Sequence, residues 1–188
     1  MFIQTEATPN PETLKFLPGR DVLGAGGRDF SGADAAGASP LAAALFDIDG
    51  VKRVYFGPDF LTVAKDPAHE WAHLKPHLLA AIMEHFVANR PILIENAVSD
   101  EADIEYEGDA AEIVKELKEL IEVRVRPAVA RDGGDITFHS WDHDNGVVKL
   151  HMKGACAGCP SSAMTLKQGI ENMLRHYVPE VLGVEQVV

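Results

Sequence analysis

Residues 95–109 limit what this chain can fold into more than any other stretch. They carry seven acidic side chains and neither Lys nor Arg. Like charges at that density repel one another and stay solvated, so a hydrophobic core cannot run through them. The 188-residue sequence therefore divides into a module at 1–90, an acidic linker at 91–109 and a second module at 110–188. Each module is long enough to close a small core of its own. The net charge of −12 is uneven, −9 over residues 1–107 and −3 over 108–188. A chain this acidic lacks the basic footprint that nucleic acid or an anionic membrane surface requires. Its longest run without a charged residue is 13 residues, at 154–166, against about 20 needed to span a bilayer. Neither nucleic acid nor membrane is an expected partner.

In the first module, Thr8, Pro9, Asn10 and Pro11 form a turn or an extended lead-in, since two prolines forbid regular pairing. Residues 13–17 read as a short strand stopped by Pro18 and Gly19, followed by a glycine-rich loop to Gly37 with at most a brief strand. Ser39 and Pro40 have the chemistry of an N-cap and a first helical residue, opening a helix through Leu41, Leu45 and Phe46. Residues 51–56 and 60–65 alternate as two strands of a hairpin around Gly57, Pro58 and Asp59. Trp71, Leu74, Leu78, Ile82 and Phe86 recur at helical spacing. Pro76 should kink that helix or delay its start to near Lys75.

In the second module, Ile113, Leu117, Leu120, Ile121 and Val125 make a helical stripe that Pro127 should end. Gly133 and Gly134 then make a turn. Residues 135–141 and 147–152 alternate as hairpin strands, with 142–146 as their loop. A last amphipathic helix runs over 160–177, and 184–188 suits a final short strand. The fold class is α+β: two small α/β modules, the second a helix, a hairpin, a Cys-x-x-Cys loop and a helix.

That loop holds the chain's only two cysteines, Cys156 and Cys159, between Gly154, Gly158 and Pro160. Glycine adopts positive φ without steric cost, so such a loop can wrap closely around a ligand. Cys159 is expected at a helix N-terminus, whose partial positive charge favours thiolate, the form that binds metal and acts as nucleophile. Three readings compete: a thioredoxin-like dithiol, half of a zinc or iron–sulfur site, and an incidental pair. Dithiol oxidoreductases place the motif after a parallel strand of a βαβ unit, and here the preceding segment reads as an antiparallel hairpin. Tetrahedral zinc and the common iron–sulfur clusters want about four protein ligands, and one chain supplies two cysteines. Either histidines complete the set in cis, or a two-fold dimer brings a second pair.

Other patterns have plainer explanations. His69, His73 and His77 recur every four residues, but Pro76 interrupts them, and solvated surface accounts for them. One of His139, His143 and His151 could approach the cysteines, though no fixed spacing supports it. Asp47, Ile48, Asp49 and Gly50 lack the third ligand and closing glutamate of a calcium loop. Asp142 to Gly146 suits hairpin chemistry, and Asp132, Gly133, Gly134 and Asp135 suit a turn more than a docking surface.

The cysteine module resembles the NifU C-terminal-like domain of iron–sulfur scaffold and carrier proteins. The residues that carry the likeness are Arg126-Pro127, Asp132-Gly133-Gly134-Asp135, Gly154-Ala155-Cys156-Ala157-Gly158-Cys159-Pro160-Ser161-Ser162 and Thr165-Leu166-Lys167-Gln168-Gly169-Ile170-Glu171. The first module is similar to the Nfu N-terminal domain through Thr8 to Pro11, Leu14 to Gly19, Ser39 to Ala42, Gly50-Val51, Asp59-Phe60 and Leu74 to Pro76. The resemblance implies a carrier, not an enzyme. Cys156 and Cys159 would bind a [4Fe–4S] cluster (a [2Fe–2S] cluster being the alternative) shared across a homodimer. Its partners would be upstream cluster assembly proteins and recipient apo iron–sulfur proteins. The chain lacks the further cysteines of an N-terminal assembly site or a ferredoxin-like centre, so the cluster would be made elsewhere.

The alternative function is a thioredoxin-like thiol–disulfide oxidoreductase, and a third is a zinc-stapled interaction module. Two cysteines without a secretory signal point to a reducing compartment. Cytoplasm is the expected address, with the mitochondrial matrix as the alternative if a transit peptide has been removed.

Overall fold

A computed structural model describes residues 2–94, 104–157 and 160–187, without the side chains of Ala35 and residues 160–163. The chain separates into two compact units, 1–99 and 100–188. Each is α+β.

The first unit is an antiparallel sheet of β1 (Gln4–Ala7), β2 (Thr13–Leu17), β3 (Arg28–Phe30), β4 (Val51–Phe56) and β5 (Leu61–Lys65). Its spatial order is β1-β2-β5-β4-β3. Phe16, Phe30, Val54, Phe56, Leu61 and Val63 turn one face inward. Against it pack α1 (Pro40–Phe46), through Leu41, Ala42 and Leu45, and α2 (Trp71–Val87), through Leu74, Leu78, Ile82 and Phe86. Ser39 caps α1 as expected, its Oγ accepting from Ala42 N at 3.1 Å. The same hydroxyl donates to the Ile92 carbonyl. Ile92 and Leu93 also pack on this core, so the beginning of the 91–109 stretch is engaged with the first unit.

Pro76 does not delay α2, which begins at Trp71. Its first turn is fixed from outside: Trp71 Nε1 donates to the Pro11 carbonyl at 3.0 Å, and Glu70 O accepts from His73 N and Leu74 N. With that turn anchored and the apolar face buried, the one backbone bond Pro76 forfeits is tolerated.

The second unit opens with α3 (Asp109–Leu120), a π-helical turn (Ile121–Val125) and α4 (Arg126–Arg131) in unbroken succession. Pro127 therefore does not end the helix. Its ring would meet the carbonyl four residues back in a regular α-helix, and here a widened turn immediately precedes it, with Arg126 N donating to Ile121 O. Extra backbone room of this kind is what a π-turn provides. The helix stops at Asp132, and Gly133 follows with φ 77°.

β6 (Gly134–Asp142) and β7 (Val147–Gly154) form the expected hairpin. α5 (Pro160–Tyr177) leads to β8 (Gly183–Val187), which pairs with β7 in parallel. Ile136, Trp141, Val148, Leu150 and Met152 face a core completed by Val114, Leu117, Ile121, Val125 and Val129 and by Ile170, Leu174 and Val178. Tyr106, inside the acidic stretch, joins this unit: its hydroxyl accepts from Trp141 N at 2.8 Å, and its ring lies 6.5 Å from Phe138.

Candidate metal centre

The candidate site is built on two adjacent glycines and the strand opposite them. Gly134 opens β6 and pairs with Gly154, the last residue of β7. Gly154 has φ 62°, a conformation that turns the chain off the strand and that residues with a Cβ rarely adopt. Just beyond it, Ala155 N donates to Gly133 O at 3.1 Å and Ala157 N to Gly154 O at 3.1 Å. Cys156 lies between these bonds, 6% exposed and part of the second unit's core.

Gly134 is the floor beneath this cysteine. A Cβ on it would stand 2.2 Å from Cys156 Sγ and 3.1 Å from Cys156 N. No side chain fits there without displacing the sulfur. Next along β6, Asp135 is buried and gripped by Arg126, with Nε donating to Oδ1 at 2.8 Å and Nη2 to Oδ2 at 3.0 Å. Arg126 Nη1 also reaches both carboxylate oxygens of Glu122, at 3.0 and 2.7 Å. These carboxylates, Asp135 foremost, hold the guanidinium pKa well above its ordinary value against the opposing effect of burial.

The sequence reading missed this role for Gly134, Asp135 and Arg126, since the contact is between distant residues. The signal was present: two glycines where a turn needs only one with positive φ. Cys159 and Gly158 lie outside the described residues, and so does the expected thiolate at the helix N-terminus. α5 begins at Pro160, immediately after them in sequence.

The motif does follow a hairpin strand, but β7 also runs parallel to β8 with α5 as the crossover. Cys156 therefore lies in the strand-to-helix connection of a βαβ unit. That context no longer counts against a dithiol oxidoreductase.

The histidines are not brought to the cysteine. His151 alternates with Leu150 and Met152, which face the core, and so lies on the opposite face of β7. There its ring meets that of His139, centroids 4.6 Å apart. His143 accepts from Trp141 Nε1 at 3.3 Å in the hairpin loop. His69 precedes α2, while His73 and His77 are exposed on it. Gly50 sits at a turn with φ 95°, and Asp142 binds Asn145 through its backbone and side-chain nitrogens, which lowers the carboxyl pKa. Among the described residues no three His, Cys, Asp or Glu side chains gather as a metal site, and no helix is long and apolar enough to cross a membrane.

Comparison with known proteins places these features in context. Residues 3–89 match the family described as "Scaffold protein Nfu/NifU N terminal", and residues 117–185 match the "NifU-like domain". The chain is 54% identical over 188 residues to the NFU1 iron-sulfur cluster scaffold homolog, mitochondrial, of Drosophila willistoni, covering 100% of this chain and 64% of that protein. It is 50% identical over 186 residues to NifU-like protein 5, mitochondrial, of Arabidopsis thaliana, covering 99% of this chain and 68% of that protein. The chain thus spans about two-thirds of the length of the curated relatives it matches. A solution structure of a NifU-like protein from Saccharomyces cerevisiae aligns with 25% identity and a TM-score of 0.46, over 50% of this chain and 86% of that one.

Proposed function

The chain belongs to the NifU-like family of Nfu proteins, and from that premise we propose that it is an iron–sulfur cluster carrier. Cys156 and Cys159 supply two thiolates, and a second copy of the chain supplies the other two, so that a [4Fe–4S] cluster is held between protomers. The observation that carries this reading is the built seat of Cys156: a floor of bare glycine and a backbone turned by Gly154. The position of His151 and His139 on the far face of the sheet supports completion by a second chain over completion by histidine in cis.

The cluster is cargo. On transfer, each thiolate of a recipient apo-protein takes an iron site as a cysteine of the carrier leaves it. No electron moves, and no acid–base residue is required. The partial positive charge at the start of α5 favours the thiolate forms and offsets part of the cluster's negative charge. Both relatives described above are named as mitochondrial. Their names favour the matrix alternative over the cytoplasmic expectation, and both compartments keep thiols reduced.

A thiol–disulfide oxidoreductase is the second reading, favoured by the βαβ setting of the motif. Anaerobic reconstitution of the parent chain and of Cys156→Ser and Cys159→Ser variants separates the two. A carrier loses its visible cluster absorption in either variant while its circular dichroism is unchanged. A double variant that retains a normal cluster would rule the assignment out.

A further inference from the structure

Gly133 and Gly134 carry no side chain, so only backbone bonds of their own hold the floor under Cys156. The side-chain anchor comes from the residues on either side. Behind them, α4 ends with Asp132 N on Val129 O and Gly133 N on Ala130 O, both at 3.1 Å. Ahead, Asp135 is locked to Arg126 by two parallel bonds, and its Oδ1 also accepts from Ile136 N at 2.9 Å. Arg126 is positioned in turn by the π-turn before it and by Glu122. The fork thus ties the helix to the first residues of β6, one residue from the atom on which the sulfur rests.

We infer that Arg126 and Asp135 form a clamp that sets the position of Cys156 and controls how tightly the cluster is retained. They are positioning residues, acting through Gly134 and not as ligands. The retention part rests on the carrier reading, and the effect on Cys156 itself does not. A planar, bidentate guanidinium is required. Lysine offers a point charge that cannot make two parallel bonds to one carboxylate.

The test uses the full chain with Cys159→Ser, leaving Cys156 as the one thiol. Its alkylation by iodoacetamide is timed at several urea concentrations below global unfolding. Asp135→Asn and Arg126→Lys are each expected to raise the urea-independent rate about tenfold, as the floor opens locally once charge-assisted bonds are lost. With both cysteines present, the same variants should release a reconstituted cluster to a chelator faster by a similar factor. Glu122→Gln removes only the brace and should give a smaller rise, which keeps the test usable if Asp135→Asn does not fold. An alkylation rate that stays at the parent value, or rises only as urea brings on global unfolding, would overturn the clamp. Faster alkylation in a chain that binds no cluster would uphold the clamp and reject the carrier reading.

Discussion

The two units put glycine to opposite uses. In the first, Gly27 lies against the Tyr55 ring and Gly57 against Phe60, where an added Cβ would collide with each ring. Bare backbone there lets large aromatics sit close, on a sheet whose other face is closed by Phe16, Phe30 and Phe56. In the second unit the same device serves a sulfur, with Gly134 under Cys156. In the first unit the close approaches admit rings, and in the second, where Gly146 admits Leu182, one of them places a reactive atom. Chemistry is expected where the group brought in close is a thiol, and partner recognition or geometric support where it is a ring.

Each unit holds one of the two tryptophans, Trp71 in the first and Trp141 in the second, so fluorescence can follow each separately once the other is replaced by Phe. Gly134→Ala should break the comparison most severely. Its Cβ falls 2.2 Å from the sulfur, and overpacking of this kind costs about 1–3 kcal/mol. We expect the Trp141 transition to fall by that amount, reconstituted iron to be largely lost and the Trp71 transition to stay put. Equal loss in both units would mean that they do not behave independently.

Ser39→Ala should act in the reverse direction. It removes the N-cap of α1 and leaves the Ile92 carbonyl without its hydroxyl donor, for about 1–2 kcal/mol in the first unit alone. Iron content should not change.

The smallest effect concerns His85, buried in α2, where the backbone of Arg90 and Pro91 only partly offsets the cost of burying a charge. Burial, aided by the nearby Arg90 charge, lowers its pKa below the ordinary 6.5. The unfolded chain therefore takes up a proton near pH 6.5 that the folded chain resists. The stabilisation is complete above that pH and is lost as pH falls below it. Denaturant midpoints from Trp71 should drop between pH 7.5 and 5.5, and His85→Leu should flatten the slope. Trp141 midpoints should not share it.

Much of this was legible in the sequence because it is local. Residues 13–17, 51–56 and 160–177 coincide with β2, β4 and α5, where alternation, helical spacing and Ser or Pro punctuation act within a few residues. Most of the misses are long-range. β1 alternates weakly and exists because Gln4 to Ala7 pair with Leu17 to Leu14. Pro127 reads as a stop until the π-turn makes room for it. The parallel pairing of β8 cannot be seen in its own residues. Tyr106 hides in an acidic run, although its hydroxyl meets Trp141 far along the chain. At the site, the chemistry of Cys156 and Cys159 was visible in their spacing. The seat was not, because Gly134 and Cys156 are 22 positions apart in sequence.

The most direct test of the central claim is the mass and iron content of one sample before and after its cluster is removed. The chain is reconstituted anaerobically and its mass in solution measured, then chelated and measured again. The account predicts a brown protein with about four iron and four sulfide per pair of chains, which reverts to lower mass when the metal is gone. A colourless monomer that cycles between dithiol and intramolecular disulfide would contradict it, and Cys156 and Cys159 would then be read as a redox pair.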